Sequence, residues 1–264
     1  MTIALAGRRA VVSGSTAGIG FAIAKRLAEA GASVIVNGRN EERLAAATER
    51  IVQEVPGASV RGIAADLSQA VGVTTLTTAV PDADILVNNL GIFAPKPFFD
   101  ITDEEWRRYF EVNVMTAVRL SRHYAGGMAE RGWGRVLFNA SVTGGFLQAE
   151  MAHYGATKTA LLGLSRGLAE TLAGTGVTVN AFLPGPTLTE TARDFLTGAA
   201  EKSGKSFQEF EREVFAAALP SSLLKRFETP EEVAALVVFL ASEQASAITG
   251  AALRVDGGIV RHVL

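Results

Sequence analysis

Residues 9–20 read Arg9-Ala10-Val11-Val12-Ser13-Gly14-Ser15-Thr16-Ala17-Gly18-Ile19-Gly20 and run straight into the helical pattern Phe21-Ala22-Ile23-Ala24-Lys25-Arg26-Leu27. A short apolar strand, a glycine-rich turn and a helix follow one another without a break. Glycines let the backbone turn tightly and approach a pyrophosphate, and the helix N-terminus offers free N–H groups and the positive end of a dipole. The spacing is Gly-x-x-x-Gly-x-Gly, not the Gly-x-Gly-x-x-Gly of the common dinucleotide fingerprint. An ordinary strand-to-helix turn can carry such glycines too, but the strand before and the helix after favour phosphate binding. Gly14, Ser15, Thr16, Gly18, Ile19 and Gly20 are the candidate cofactor contacts of this turn.

The same alternation continues along most of the 264 residues. Runs at 9–13, 33–37, 59–64, 84–88, 135–140, 177–183 and 252–255 predict strands, and 18–30, 41–54, 68–79, 103–130, 153–173 and 230–241 predict helices. Strands separated by helices of this length imply right-handed βαβ units and a parallel sheet. Several strands are almost wholly apolar, as befits strands covered on both faces. Thr102-Asp103-Glu104-Glu105 and Thr229-Pro230-Glu231-Glu232 read as capping boxes that start helices. No linker or repeat divides the chain, so 1–264 is expected to form a single α/β, dinucleotide-binding domain. Between Pro186 and Glu228 no strand pattern appears, only two short helical ones, and 187–227 reads as an insertion on that domain.

At 48% hydrophobic and 20% charged residues the chain can build a large core and has no signature of disorder. A formal net charge of −2 argues against nucleic-acid or anionic-membrane partners. There are no cysteines, which excludes disulfides, thiolate metal sites and cysteine nucleophiles. His123, His153 and His262 show no ligand spacing, so no metal is expected. The longest apolar run, 233–241, is too short to span a bilayer. Residues 1–10 lack the apolar core of a secretory signal, and a cytoplasmic protein is expected.

Two further stretches bear on chemistry. The second strand ends at Asn37-Gly38-Arg39-Asn40, with no carboxylate to accept the ribose hydroxyls of NAD(H); Arg39 suits the 2′-phosphate of NADP(H). A solvated turn arginine is the bland alternative. Tyr154-Gly155-Ala156-Thr157-Lys158 lies in a helical pattern, where residues four apart share a face. A nearby cation favours the phenolate and should lower the tyrosine pKa towards the range useful for proton transfer. A surface pair would read the same, but the fifth strand ends in Asn139-Ala140-Ser141. Ser141 therefore belongs to the carboxyl edge of the sheet, where ligands bind and where a hydroxyl can steady a reacting oxygen.

With these residues in place, the chain resembles the short-chain dehydrogenase/reductase family in its common form, over nearly all its length. Asp66-Leu67 after strand three, Asn88-Asn89-Leu90-Gly91 after strand four, Asn113 within the long helix and Pro184-Gly185 after strand six complete the match, in order. The resemblance implies a Rossmann-type fold with a seven-stranded parallel sheet, a small carbonyl or alcohol substrate and a homotetramer. It makes Tyr154 the acid in reduction and the base in oxidation. Lys158 would hold the nicotinamide ribose, Ser141 the substrate oxygen, and Asn113 a water in a proton relay. Asp66, with Leu67 beside it, would approach the adenine. Asn88, Gly91, Pro184, Gly185 and the backbone near Thr187 would border the cofactor. Two residues depart from the family pattern: Leu90 replaces an alanine beside the cofactor, and Ala17 stands where many NADP-preferring members carry a base.

The leading expectation is an NADP(H)-dependent reductase of an apolar ketone or 3-oxoacyl-type compound. An NAD-dependent alcohol dehydrogenase and a non-catalytic NADP-binding regulator are the alternatives; a regulator would lack one of Ser141, Tyr154 and Lys158. The insertion is expected to form a lid whose Phe207, Phe210, Val214 and Ala217 share one apolar face. Ile92, Phe93, Phe146, Leu147 and Gln148 are candidates for the substrate pocket, Lys96 is a cation for an acidic substrate, and His153 reads as pocket wall or surface.

Overall fold

The computed structural model describes residues 3–144 and 149–262. Strands β1 (Arg9–Val12), β2 (Ser33–Gly38), β3 (Val60–Ala64), β4 (Ile85–Asn88), β5 (Gly134–Asn139), β6 (Val177–Pro184) and β7 (Ala252–Val255) form one sheet in the order β3-β2-β1-β4-β5-β6-β7. Every pairing is parallel. The expected strand positions agree with these to within a residue or so.

The helices are α1 (Gly18–Glu29), α2 (Glu41–Glu54), α3 (Ala70–Ala79), α4 (Asp103–Phe110), α5 (Thr116–Glu130), α6 (Ala152–Thr171), α7 (Glu190–Lys202), α8 (Phe207–Ala217) and α9 (Pro230–Leu240). Alternate strand residues feed two cores. Val12, Val36, Val87 and Phe182 meet α1, α2 and α9 on one face; Val11, Ile35, Leu86 and Phe138 meet α3, α5 and α6 on the other. Slipping any strand by one residue would exchange the two sets, so burial on both faces fixes the register. No helix among the described residues is long and apolar enough to cross a membrane.

Strand order reverses at β1, whose neighbours are β2 on one side and β4 on the other. Connections therefore leave the sheet in opposite directions there and open a crevice at its carboxyl edge. The glycine turn follows β1, and Asn89-Leu90-Gly91 follows β4, so both border that crevice.

The stretch 103–130 differs from the expected single helix. It is α4, a π-helical turn Glu111–Met115 and then α5. A π turn adds one residue without ending the helix, so it shifts the phase of the side chains that follow. Asn113 sits in this turn and is 1% exposed.

Candidate active site

The turn after β1 is held from several sides. Ser13 Oγ accepts from Asn89 N at 2.9 Å and Leu90 N at 3.0 Å. Ser15 Oγ donates to Val12 O at 2.7 Å and accepts from Asn37 N at 2.9 Å. Asn37 Oδ1 accepts from Gly14 N, and its Nδ2 donates to Ile63 O and Ala65 O. Gly14 and Gly18 have φ of +61° and +57°, a region that side chains disfavour. A Cβ at Gly20 would stand 2.4 Å from both Asn89 Nδ2 and Gly14 O.

These features suit a dinucleotide pyrophosphate. The backbone can be approached closely, and Ala17, the N-cap of α1, supplies no side-chain acceptor to the first-turn N–H groups. Thr16 packs over Gly38, where a Cβ would meet its Cγ2 at 2.4 Å. Arg39 follows on the exposed bend after β2.

Across the crevice, α6 presents Tyr154 and Lys158 on one face. Lys158 is buried, its Nζ donating to Asn139 O at 2.6 Å and standing 5.5 Å from the Tyr154 ring centroid. A Cβ at Gly91 would lie 3.5 Å from both Lys158 Nζ and Asn113 Oδ1, so Gly91 keeps that wall thin. Asn113 accepts from Ile92 N at 2.8 Å and donates to Ile92 O and Thr157 Oγ1. The π turn is what lets one helix hold the β4 loop and α6 together.

Ser141, after β5, hydrogen-bonds to the Tyr154 phenol and to the Thr143 hydroxyl. Its Oγ also accepts from Thr143 N at 3.1 Å. Burial raises the Tyr154 pKa above the usual phenol value, and the bond from Ser141 offsets part of that rise. Burial also pulls Lys158 down to about 7. The expectation of a tyrosine already lowered by its lysine thus meets a second effect, desolvation, which disfavours charge on both groups.

A cavity of about 530 Å³ joins these parts, lined among others by Ala17, Ile19, Gly20, Gly91, Ser141, Tyr154, Lys158, Pro184, Gly185 and Thr187. Phe93 lines it too; its ring centroid is 5.9 Å from that of Tyr154, although the side chain is 71% exposed. Phe146, Leu147 and Gln148 lie outside the described residues. Asn88 does not line the cavity: its Nδ2 donates to Ser121 Oγ at 3.1 Å, towards α5, and Asn89 takes the cavity side. Leu90 packs into the core and against Gly14. Asp66 bonds Ser68 N and Oγ, and Leu67 is buried, its carbonyl accepting from Thr116 Oγ1 at 2.7 Å.

Some sequence expectations need correction. His153 is 1% exposed, with its ring 4.0 Å from that of Tyr109, so it is core rather than pocket wall or surface. Lys96 is spent on Glu105, at 2.5 Å. In α8 the fully buried residue is Phe215, stacked edge-on to Phe227, whereas Ala217 is exposed. Phe207, Phe210 and Val214 of the expected face are half-buried. Asn89, Asn139, Met151, Leu219, Phe227 and Ile259 also line the cavity. Asn89 and Asn139 stand within motifs already noted. The other four converge only through tertiary packing.

Known proteins resemble this chain along its whole length. A family model described as enoyl-(acyl carrier protein) reductase matches residues 14–260. An uncharacterized oxidoreductase of Bacillus subtilis, YvaG, is 48% identical, with 100% of both chains covered. The 3-oxoacyl-[acyl-carrier-protein] reductase FabG of Aquifex aeolicus is 35% identical, covering 98% of this chain and 100% of its own. Among solved structures, L-sorbose reductase of Gluconobacter frateurii, complexed with NADPH and L-sorbose, superposes with a TM-score of 0.92 at 33% identity, with 100% of both chains covered. Sheet order, crevice and relatives agree: the chain is an oxidoreductase enzyme of the short-chain dehydrogenase/reductase family.

Proposed function

We propose that the protein is an NADP(H)-dependent reductase of an uncharged, largely apolar carbonyl compound. The observation that carries this reading is the convergence of Ser141, Tyr154 and Lys158 on a cavity that reaches the uncapped N-terminus of α1. A nicotinamide bound there supplies the hydride. The chain's own residues supply the rest. The glycine turn and α1 hold the pyrophosphate; Gly91, Pro184, Gly185 and Thr187 border the nicotinamide end. Ser141 donates to the substrate oxygen, Tyr154 gives it a proton from its phenol, and Lys158 holds the ribose hydroxyls. Asn113 fixes the β4 loop against α6 and keeps the implied relay to Lys158 in line.

The walls support this substrate class. Lys158 is the only charged side chain among the described lining residues, while Phe93, Met151, Leu219, Phe227 and Ile259 are apolar. Insertion residues Thr189, Ala192 and Leu219 line the cavity, which supports the lid reading of 187–227. A regulator would have no use for the assembled trio. FabG acts on 3-oxoacyl groups by name, and the Gluconobacter enzyme was solved with NADPH, which supports the direction and cofactor chosen. The family resemblance supports a homotetramer, and a light-scattering mass of a monomer at micromolar concentration would overturn it.

An NADPH-consumption screen over ketones, 3-oxoacyl thioesters and quinones tests the reading as a whole. Tyr154→Phe removes the proton donor and little shape, so kcat should fall by about 10²–10⁴ while NADPH affinity stays near wild type. Retention of more than about a tenth of kcat, with chemistry limiting, excludes the role given to Tyr154.

Arg39 should set cofactor choice, since a guanidinium bonds a phosphate more strongly than it bonds a hydroxyl. Arg39→Asp is expected to erase or reverse a preference for NADPH in kcat/KM. Equal kcat/KM for NADPH and NADH in the unmutated enzyme contradicts the assignment.

With Lys158 held to about 7 by burial, much of it is neutral near pH 8. Ribose hydroxyls that accept from Nζ favour the ammonium, so NADPH binding near that pH should take up a proton. Calorimetry in buffers of different ionisation enthalpy measures the uptake, and Lys158→Met should abolish it. No uptake in the unmutated protein would show that Lys158 does not change state on binding.

A further inference from the structure

Glu228 stands at the far end of the insertion, and its backbone closes the neck. It forms a parallel bridge with Thr187, its N–H donates to Pro186 O at 3.0 Å, and its carbonyl accepts from Leu188 N at 2.7 Å. The side chain turns inward beneath the 184–187 loop and is 2% exposed. Its Oε2 has no hydrogen-bond partner. The carboxyl fills the space left by two glycines: a Cβ at Gly185 would stand 2.7 Å from Oε1, and one at Gly257 would stand 3.1 Å from it.

Asp256, also buried, lies beside it. The Asp256 carboxylate accepts from Gly258 N and Val260 N, both at 3.1 Å, and its carbonyl accepts from Ile259 N at 3.1 Å. This turn carries Ile259 to the cavity, where Gly185, Pro186 and Thr187 form the adjoining wall.

We propose that Glu228 is a positioning residue of the active site, whose carboxyl group clasps the 184–187 loop to the 256–259 turn and so fixes one wall of the cavity. The site's use of that wall rests on the cofactor reading given above; the clasp itself does not. The charges around the carboxyl decide its working form. Asp256 and Glu232, in the first turn of α9, repel a negative charge there. Arg226 faces it but is exposed and donates twice to Glu232, at 3.0 and 2.7 Å. Lys225 points its Nζ at Pro220 O. The Gly185 N–H favours the carboxylate but does not outweigh burial and Asp256, which push Glu228 up to about 8.

Glu228 therefore clasps as the neutral acid, and losing its proton sets two buried carboxylates against each other. Between the ordinary carboxylate range and about 8 the folded protein keeps a proton that the unfolded chain has released. Stability from this group is fully present below that window, falls as pH rises through it, and is flat above.

The test follows thermal midpoints of wild type, Glu228→Gln and Asp256→Asn from about pH 6 to 9.5, with NADPH dissociation constants by fluorescence at each end. Tyr154 and Lys158 titrate in wild type and E228Q alike, so the comparison removes them. The wild-type midpoint should fall with pH relative to E228Q, and its NADPH affinity should weaken at least about threefold more. In D256N the fall should move to lower pH, an arm that decides the matter even if E228Q folds poorly. Parallel midpoint curves for wild type and E228Q, or a fall unmoved in D256N, overturn the clasp. Divergent midpoints with identical NADPH behaviour overturn the positioning role. If neither protein binds NADPH, the cofactor reading and the positioning role fall together, while the midpoints still report on the clasp.

Discussion

The hydrogen bonds that Asn89 makes to the glycine turn are the constraint on which the site depends. Its Nδ2 donates to Ser13 O and Gly14 O, at 3.0 and 2.9 Å, and its Oδ1 accepts from Asn139 Nδ2 at 2.8 Å. Asn139 O then accepts from Lys158 Nζ. Where a parallel sheet reverses its winding, the strand ends carry backbone groups that no further ladder can satisfy. A net hydrogen bond is worth about 1 kcal/mol, but a buried group left unpaired costs about 1–3 kcal/mol. The amide chain satisfies β1, β4 and β5 at once and, in doing so, couples the phosphate-side turn to the lysine on α6. Neither end can shift without breaking a bond in the middle.

The same crevice works against charge. Burial raises Tyr154 and lowers Lys158, so two groups whose ordinary values nearly coincide are pushed apart on the pH scale. Tyr154 has Ser141 to favour its anion, and Lys158 has a carbonyl to favour its cation. These are hydrogen bonds rather than counter-ions, which leaves both groups responsive to whatever polar surface arrives beside them.

How much of this could be read from sequence depended on whether the signal was local. Tyr154 and Lys158 were legible because four residues is one helical turn. The capping boxes at Thr102 and Thr229 were legible because a cap closes within four residues, and the structure forms both. The central strands were legible because burial leaves β1 and β4 almost wholly apolar. The π turn at Asn113 was not, since a widened turn alters phase by an amount that apolar periodicity over 103–130 absorbs. Asn88 and Asn89 are adjacent and chemically identical, so only the pleat decides which of them faces the cavity. Phe215, His153, Glu228 and Ile259 owe their surroundings to segments distant in the chain, and no window along the sequence contains those partners.

The paired neck of the insertion has a consequence for how such a chain can change. Residues 186–188 and 228 meet through backbone bonds, so the ends of the intervening loop are already closed. Closure entropy grows only with the logarithm of loop length, about 0.6 kcal/mol per doubling. A segment of different length or composition could be spliced between those ends while the seven strands, the glycine turn and α6 kept their register. The molecule is in that sense two parts with separate histories available to them: a fixed scaffold, and an exchangeable cassette that must begin and end in the same place and whose inner residues supply part of the cavity wall.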